Sequence, residues 1–97
     1  MRLGFAVKKV AGGKLVEAEV EVSDGRIARV RITGDFFAHP EDVVEEVEKR
    51  LVGSRLDPEE VAERVSSAVA DLNATLVGVS VRDLVEVVLK AAGVEPR

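Results

Sequence analysis

Few residues here could carry chemistry. His39, the only histidine, stands directly before Pro40, where an imidazole could carry a proton or ligate a metal ion. An autonomous catalyst would have to act through His39 and Asp35, and neither has a charge partner in sequence that would tune its pKa. The absence of cysteine removes thiolate nucleophiles, thiolate metal sites and any disulfide framework. With no second histidine and no H-E-x-x-H spacing, we expect no metal site. Ser66 and Ser67 fall within a helical pattern without a G-x-S-x-G turn, and no G-x-x-x-x-G-K-[ST] loop occurs, so nucleophilic catalysis and P-loop nucleotide binding drop out.

The composition narrows the partners. Three Phe without Tyr or Trp give no stacking platform for bases, and a net charge of -4 opposes binding to phosphate backbones, so we expect no nucleic acid. No apolar stretch approaches the roughly 20 residues that span a bilayer, and nothing at the N-terminus reads as a signal peptide, so the expectation is no membrane and a cytoplasmic address. Ninety-seven residues, with 46% hydrophobic and 33% charged side chains, suit one domain over residues 1–97. Charge divides along the chain, net +3 in residues 1–33 and -7 in residues 34–97.

Periodicity divides it too, predicting an α+β fold. A three-stranded antiparallel meander over about 2–10, 14–22 and 26–34 is followed by three helices over about 40–52, 58–72 and 81–92, packed on one face. Val16, Ala18, Val20 and Val22 alternate with Glu17, Glu19 and Glu21, which makes the second strand apolar on one side and acidic on the other. A two-residue Gly12-Gly13 turn would set Phe5 opposite Val20, Val7 opposite Ala18 and Lys8 opposite Glu17, placing Phe5 and Val20 on the buried face. A two-residue Asp24-Gly25 turn would put Val20 opposite Arg29, so register favours a three-residue Ser23-Asp24-Gly25 loop pairing Glu19 with Arg29, Glu17 with Arg31 and Ala18 with Val30. The outer Glu/Arg/Lys face then reads as a solvated charge ladder, in preference to a metal, acid-base or anion site.

Helix ends are legible. Pro40 suits a first helical position ahead of the Val43, Val44, Val47, Leu51 stripe, and Gly53 suits the stop. Asp57 caps the second helix with Glu60 reaching back, and Ser80 caps the third. Residues 74–79 are an apolar connector, either a brief strand or an extended segment. The segment Ile32-Thr33-Gly34-Asp35-Phe36-Phe37-Ala38-His39-Pro40 holds two of the three aromatics, and period two sends Gly34 and Phe36 toward the core and Phe37 outward. Either the two phenylalanines close the ends of the core, or the segment docks a partner.

Four stretches together resemble a known family. Lys9-Val10-Ala11-Gly12-Gly13-Lys14-Leu15-Val16 looks like its first hairpin, Asp24-Gly25-Arg26-Ile27 like its second turn, and Ile32-Thr33-Gly34-Asp35-Phe36-Phe37 like its signature; Glu45 to Gly53 resembles the helix that follows. The family is that of the lipoate-protein ligases, and the likeness, over residues 5–93, is to their C-terminal accessory domain, in many archaea a separate small subunit. The resemblance implies that this chain binds no cofactor and is not an enzyme alone. Lipoate, ATP and Mg would sit on a separate catalytic subunit, which makes lipoyl-AMP and transfers the lipoyl group to a lysine of an acceptor domain. Partnership would then be a heterodimer with that subunit, and indirectly with lipoyl-acceptor domains. Thr33, Gly34, Asp35, Phe36, Phe37 and His39 are the candidate partner-interface residues. The competing expectation is a non-catalytic protein-binding adaptor or homodimeric module.

Overall fold

The structure, a computed structural model, describes residues 1–12 and 14–94. Strands β1 (Arg2–Lys9), β2 (Leu15–Ser23) and β3 (Arg26–Gly34) form an antiparallel sheet in the order β1-β2-β3. A short strand β4 (Phe37–His39) leads to helix α1 (Val43–Leu51), then α2 (Pro58–Asp71), β5 (Thr75–Val77) and α3 (Val81–Ala91). Helix α3 lies across β1 and β2, α1 lies against β3, and α2 packs on α1 and α3. The α+β meander with three helices is therefore observed as expected, with a two-stranded β4-β5 ribbon added to it.

The core is built from period-two and period-3.6 faces meeting. Val16, Ala18, Val20 and Val22 of β2 are buried against Val47 and Leu51 of α1, Val61 and Val65 of α2, and Leu84, Val87 and Val88 of α3. The caps work as anticipated at two helices. The Glu60 N–H donates to Asp57 Oδ2 (3.3 Å), but the Glu60 carboxylate reaches past the cap to accept the Arg55 N–H (2.8 Å). At α3, Ser80 and Asp83 satisfy each other's backbone N–H groups in a capping box.

Both hairpin registers differ from expectation. β1 pairs Phe5 with Glu19, Ala6 with Ala18, Val7 with Glu17 and Lys8 with Val16, one residue away from the alignment that a two-residue turn would give. The connection is longer, since Lys9 pairs with Leu15 and the Val10 N–H donates to the Lys14 carbonyl (2.8 Å); the expected Gly12-Gly13 turn lies partly outside the described residues. A one-residue slip turns every side chain over. Phe5 is consequently not a core residue but 64% exposed, and Gly4 and Ala6 face inward in its place. Space explains the choice: a Cβ on Gly4 would collide with the Ala91 carbonyl of α3, so only small residues fit beneath that helix.

At the second hairpin the two-residue turn is present after all. Ser23 pairs with Arg26, and Asp24 (φ 53) and Gly25 (φ 73) both take the left-handed conformations that such tight turns require. A bulge between Glu21 and Val22 then restores the faces, so Val22 pairs with Ile27 while Val20 pairs with Val30, Glu19 with Arg31, Ala18 with Ile32 and Glu17 with Thr33. Ile27 is buried and Ala28 exposed, the reverse of simple alternation. The helix expected from residue 40 begins at Val43, because the chain stays extended through His39 in β4 and turns at Pro40, whose carbonyl accepts the Val43 N–H (3.1 Å).

Candidate partner interface

The segment from Thr33 to His39 leaves β3 and is held by main-chain contacts. Asp35 is committed to the scaffold: its Oδ1 accepts the Leu15 N–H (2.6 Å), and its own N–H donates to the Leu15 carbonyl (3.2 Å). Gly34 pairs with Val16, and a Cβ there would stand 2.5 Å from the Leu15 carbonyl oxygen and 2.9 Å from the Phe36 ring. Close approach, not a positive φ, is what this position requires of glycine. Phe36 is half-buried against the core, and Phe37 points out, 72% exposed, opposite the exposed Val77 across the β4-β5 ribbon. His39 pairs with Thr75 on that same exposed side. An open groove of about 390 Å³ runs between this segment and α1, bounded by Thr33, Gly34, Phe36, Phe37, Glu41 and Val44.

Thr33, Gly34, Phe36 and Phe37 of the candidate set line that groove, whereas Asp35 and His39 do not. With its Oδ1 on the Leu15 N–H, the Asp35 carboxylate is occupied in holding the chain, and His39 lies exposed on the ribbon. The hydroxyl of Thr33 donates to Glu17 Oε2 (3.3 Å), which joins the segment to the outer face of the sheet.

The outer face carries the expected Glu and Arg columns, but sequence reasoning missed the apolar column that β1 adds to them. The β1 register puts Leu3, Phe5 and Val7 in a column beside Glu21, Glu19 and Glu17 of β2, and these stand beside Arg29, Arg31 and Thr33 of β3. A shallow hollow of about 230 Å³ opens there among Phe5, Glu17, Glu19, Arg31 and Thr33. The available signal was the alternation of small Gly4 and Ala6 with large Leu3, Phe5 and Val7, which marks a strand crowded on its small side. Elsewhere the ion pairs are structural. Lys8 bridges β1 to Asp83 (3.0 Å) and Glu86 of α3. The bond to Glu86 raises the Lys8 pKa, and that same bond lowers Glu86. Burial pushes Asp83 up, but the bonds from Lys8 and Ser80 together outweigh it and hold this carboxyl low.

Comparison with known proteins fits this geometry. The model of the bacterial lipoate protein ligase C-terminus matches residues 6–88, and the chain belongs to that family. No curated protein matches. Among solved structures, the chain is similar to one from an archaeal lipoylation system, described as a bipartite lipoate protein ligase and its E2 lipoyl domain from Thermoplasma acidophilum. The TM-score is 0.78 at 23% identity, over 89% of this chain and 93% of that one, a likeness that establishes the shared fold.

Proposed function

We propose that this chain is the accessory subunit of a two-chain lipoate-protein ligase, supporting the activation of lipoate on a separate catalytic subunit. The observation that carries the reading is the family match over residues 6–88, joined to a fold shared along nearly the whole length of a chain from a bipartite ligase. The partner would hold lipoate, ATP and Mg; the lipoate carboxylate displaces pyrophosphate to give lipoyl-AMP, and an acceptor lysine then displaces AMP. This chain would donate no reacting group. Closing over the partner's pocket, it would order carboxylate and phosphate and keep water out, which is enough to accelerate adenylate formation. The surface from Thr33 to His39, with Phe37 outermost, is the proposed contact.

Mixing the chain with the catalytic subunit from the same genome tests this. A stable one-to-one complex should appear together with lipoyl-AMP synthesis, while either chain alone is slow or inactive. Lipoyl-AMP synthesis by the catalytic subunit that is indifferent to this chain would refute the proposal, as would robust synthesis by this chain alone.

A further inference from the structure

We infer that the outer face of the sheet, centred on Phe5, is a second part of the docking surface, and that the partner chain covers it with an apolar patch carrying an arginine or lysine. The inference rests on the accessory-subunit reading and adds to it the place and chemistry of the contact.

The sheet is finished on one side and not on the other. At the β3 edge, the Ile32 N–H donates to Glu48 Oε2 of α1 (2.7 Å), the Ile27 N–H donates to the Ser54 carbonyl (2.8 Å), and the Gly53 N–H donates to the Ile27 carbonyl (2.7 Å). That edge is sealed by α1 and the chain after it. β1 is the opposite edge, and it bears Leu3 and Phe5 at 60% and 64% exposure with Val7 beside them on the outer face. An edge strand that, among the described residues, nothing covers and that turns its large apolar residues outward is a liability unless something covers it.

Charge says what covers it. The hollow lies over the middle strand, where Glu17 and Glu19 stand between Phe5 of β1 and Arg31 and Thr33 of β3. A guanidinium or ammonium laid on the Phe5 ring between the two carboxylates would gain both ion pairing and cation–π attraction, and the apolar surround would meet Leu3 and Val7. A second copy of this chain fits poorly. A two-fold arrangement that buries all three columns lays the Glu17-Glu19-Glu21 column of one copy on that of the other, where like charges oppose association. Thr33, shared by this hollow and by the groove beside Phe37, makes the two surfaces continuous.

The test titrates the catalytic subunit into the wild-type chain and into Phe5→Asp, Glu19→Lys and Glu63→Lys variants, with thermal melts of each. Glu63→Lys makes the same charge change on the exposed side of α2 and serves as control. We expect Phe5→Asp and Glu19→Lys to weaken binding about tenfold or more with Glu63→Lys within about twofold of wild type, the size of effect that an interface anchor gives. Should Phe5→Asp fold poorly, Glu19→Lys decides. If the wild type binds and both face variants bind equally well, this inference falls and the accessory-subunit reading stands. If the wild type does not bind, that reading falls and takes the inference with it. A wild-type homodimer dissolved by Phe5→Asp would show that a second copy covers the face, and would overturn the choice of occupant.

Discussion

At the scale of single residues, Lys8 is the clearest link between charge and fold. It stands on the inner side of the edge strand and ties that strand to α3 through Asp83 and Glu86, whose pKa values are both lowered while its own is raised. Carboxylates held low contribute stability above their ordinary titration range and lose it as pH falls through their lowered values; the raised lysine contributes below its ordinary value and loses that only as pH climbs past the raised one. Between neutral pH and about pH 3 the melting temperature should therefore drop. Lys8→Met should lower Tm by about 2–4 °C at pH 7 and flatten the acid drop, as melts across pH would read, since such partly exposed pairs are modest. Phe5 and Val20 make the other contrast. Val20→Ala removes two methyl groups from a fully buried site and should cost about 2 kcal/mol. Phe5→Ala, on the exposed side, should cost less than about 1 kcal/mol in the same denaturant titration.

At the scale of elements, most of the plan was legible in the residues and two hairpins were not. Helix α2 begins at Pro58 behind Asp57 and α3 begins behind Ser80, because capping chemistry is local and short-ranged. Strand register is not local. Apolar alternation in β1 pointed to Leu3, Phe5 and Val7 as the buried set, but the crowding of Gly4 under Ala91 joins residues at opposite ends of the sequence, and no window along the chain contains both. The Glu21/Val22 bulge was hidden for a related reason: it lets a favourable Asp24-Gly25 turn coexist with matched faces, so register alone misjudged the turn. At the candidate interface, the outward Phe37 and inward Phe36 followed from period two, whereas the β4-β5 ribbon that displays Phe37 depends on a partner strand far along the chain. Gly34 lets β3 hand over to that ribbon. Gly34→Val should force the Leu15 carbonyl and the Phe36 ring apart and destabilise by about 1–3 kcal/mol, with partner binding reduced further than the melt alone explains. Equal binding at equal fraction folded would count against a positioning role for Gly34.

At the scale of the whole molecule, the helices occupy one side of the sheet, and among the described residues the other side and the Phe37 ribbon are left exposed. Phe37→Ala should leave the fold within about 0.5 kcal/mol of wild type, as surface changes do, and should weaken association with the catalytic subunit by about 2 kcal/mol or more if Phe37 anchors the contact. At limiting concentrations of this chain, lipoyl-AMP formation should then fall while transfer from supplied lipoyl-AMP persists. Equal loss of both half-reactions would place the contribution of Phe37 elsewhere. The closure of the molecule has its own corollary. The Arg2 guanidinium donates to the Ala92 carbonyl (2.8 Å) across a separation of 90 residues, and Gly4 lies beneath the same turn of α3. Strand β1 precedes α3 by about seventy residues, so during synthesis its inner side stays uncovered until that helix has followed. Folding of this domain is thus late relative to the synthesis of its own residues, and until α3 arrives β1 has neither its inner side covered nor its large residues Leu3, Phe5 and Val7 held in the sheet.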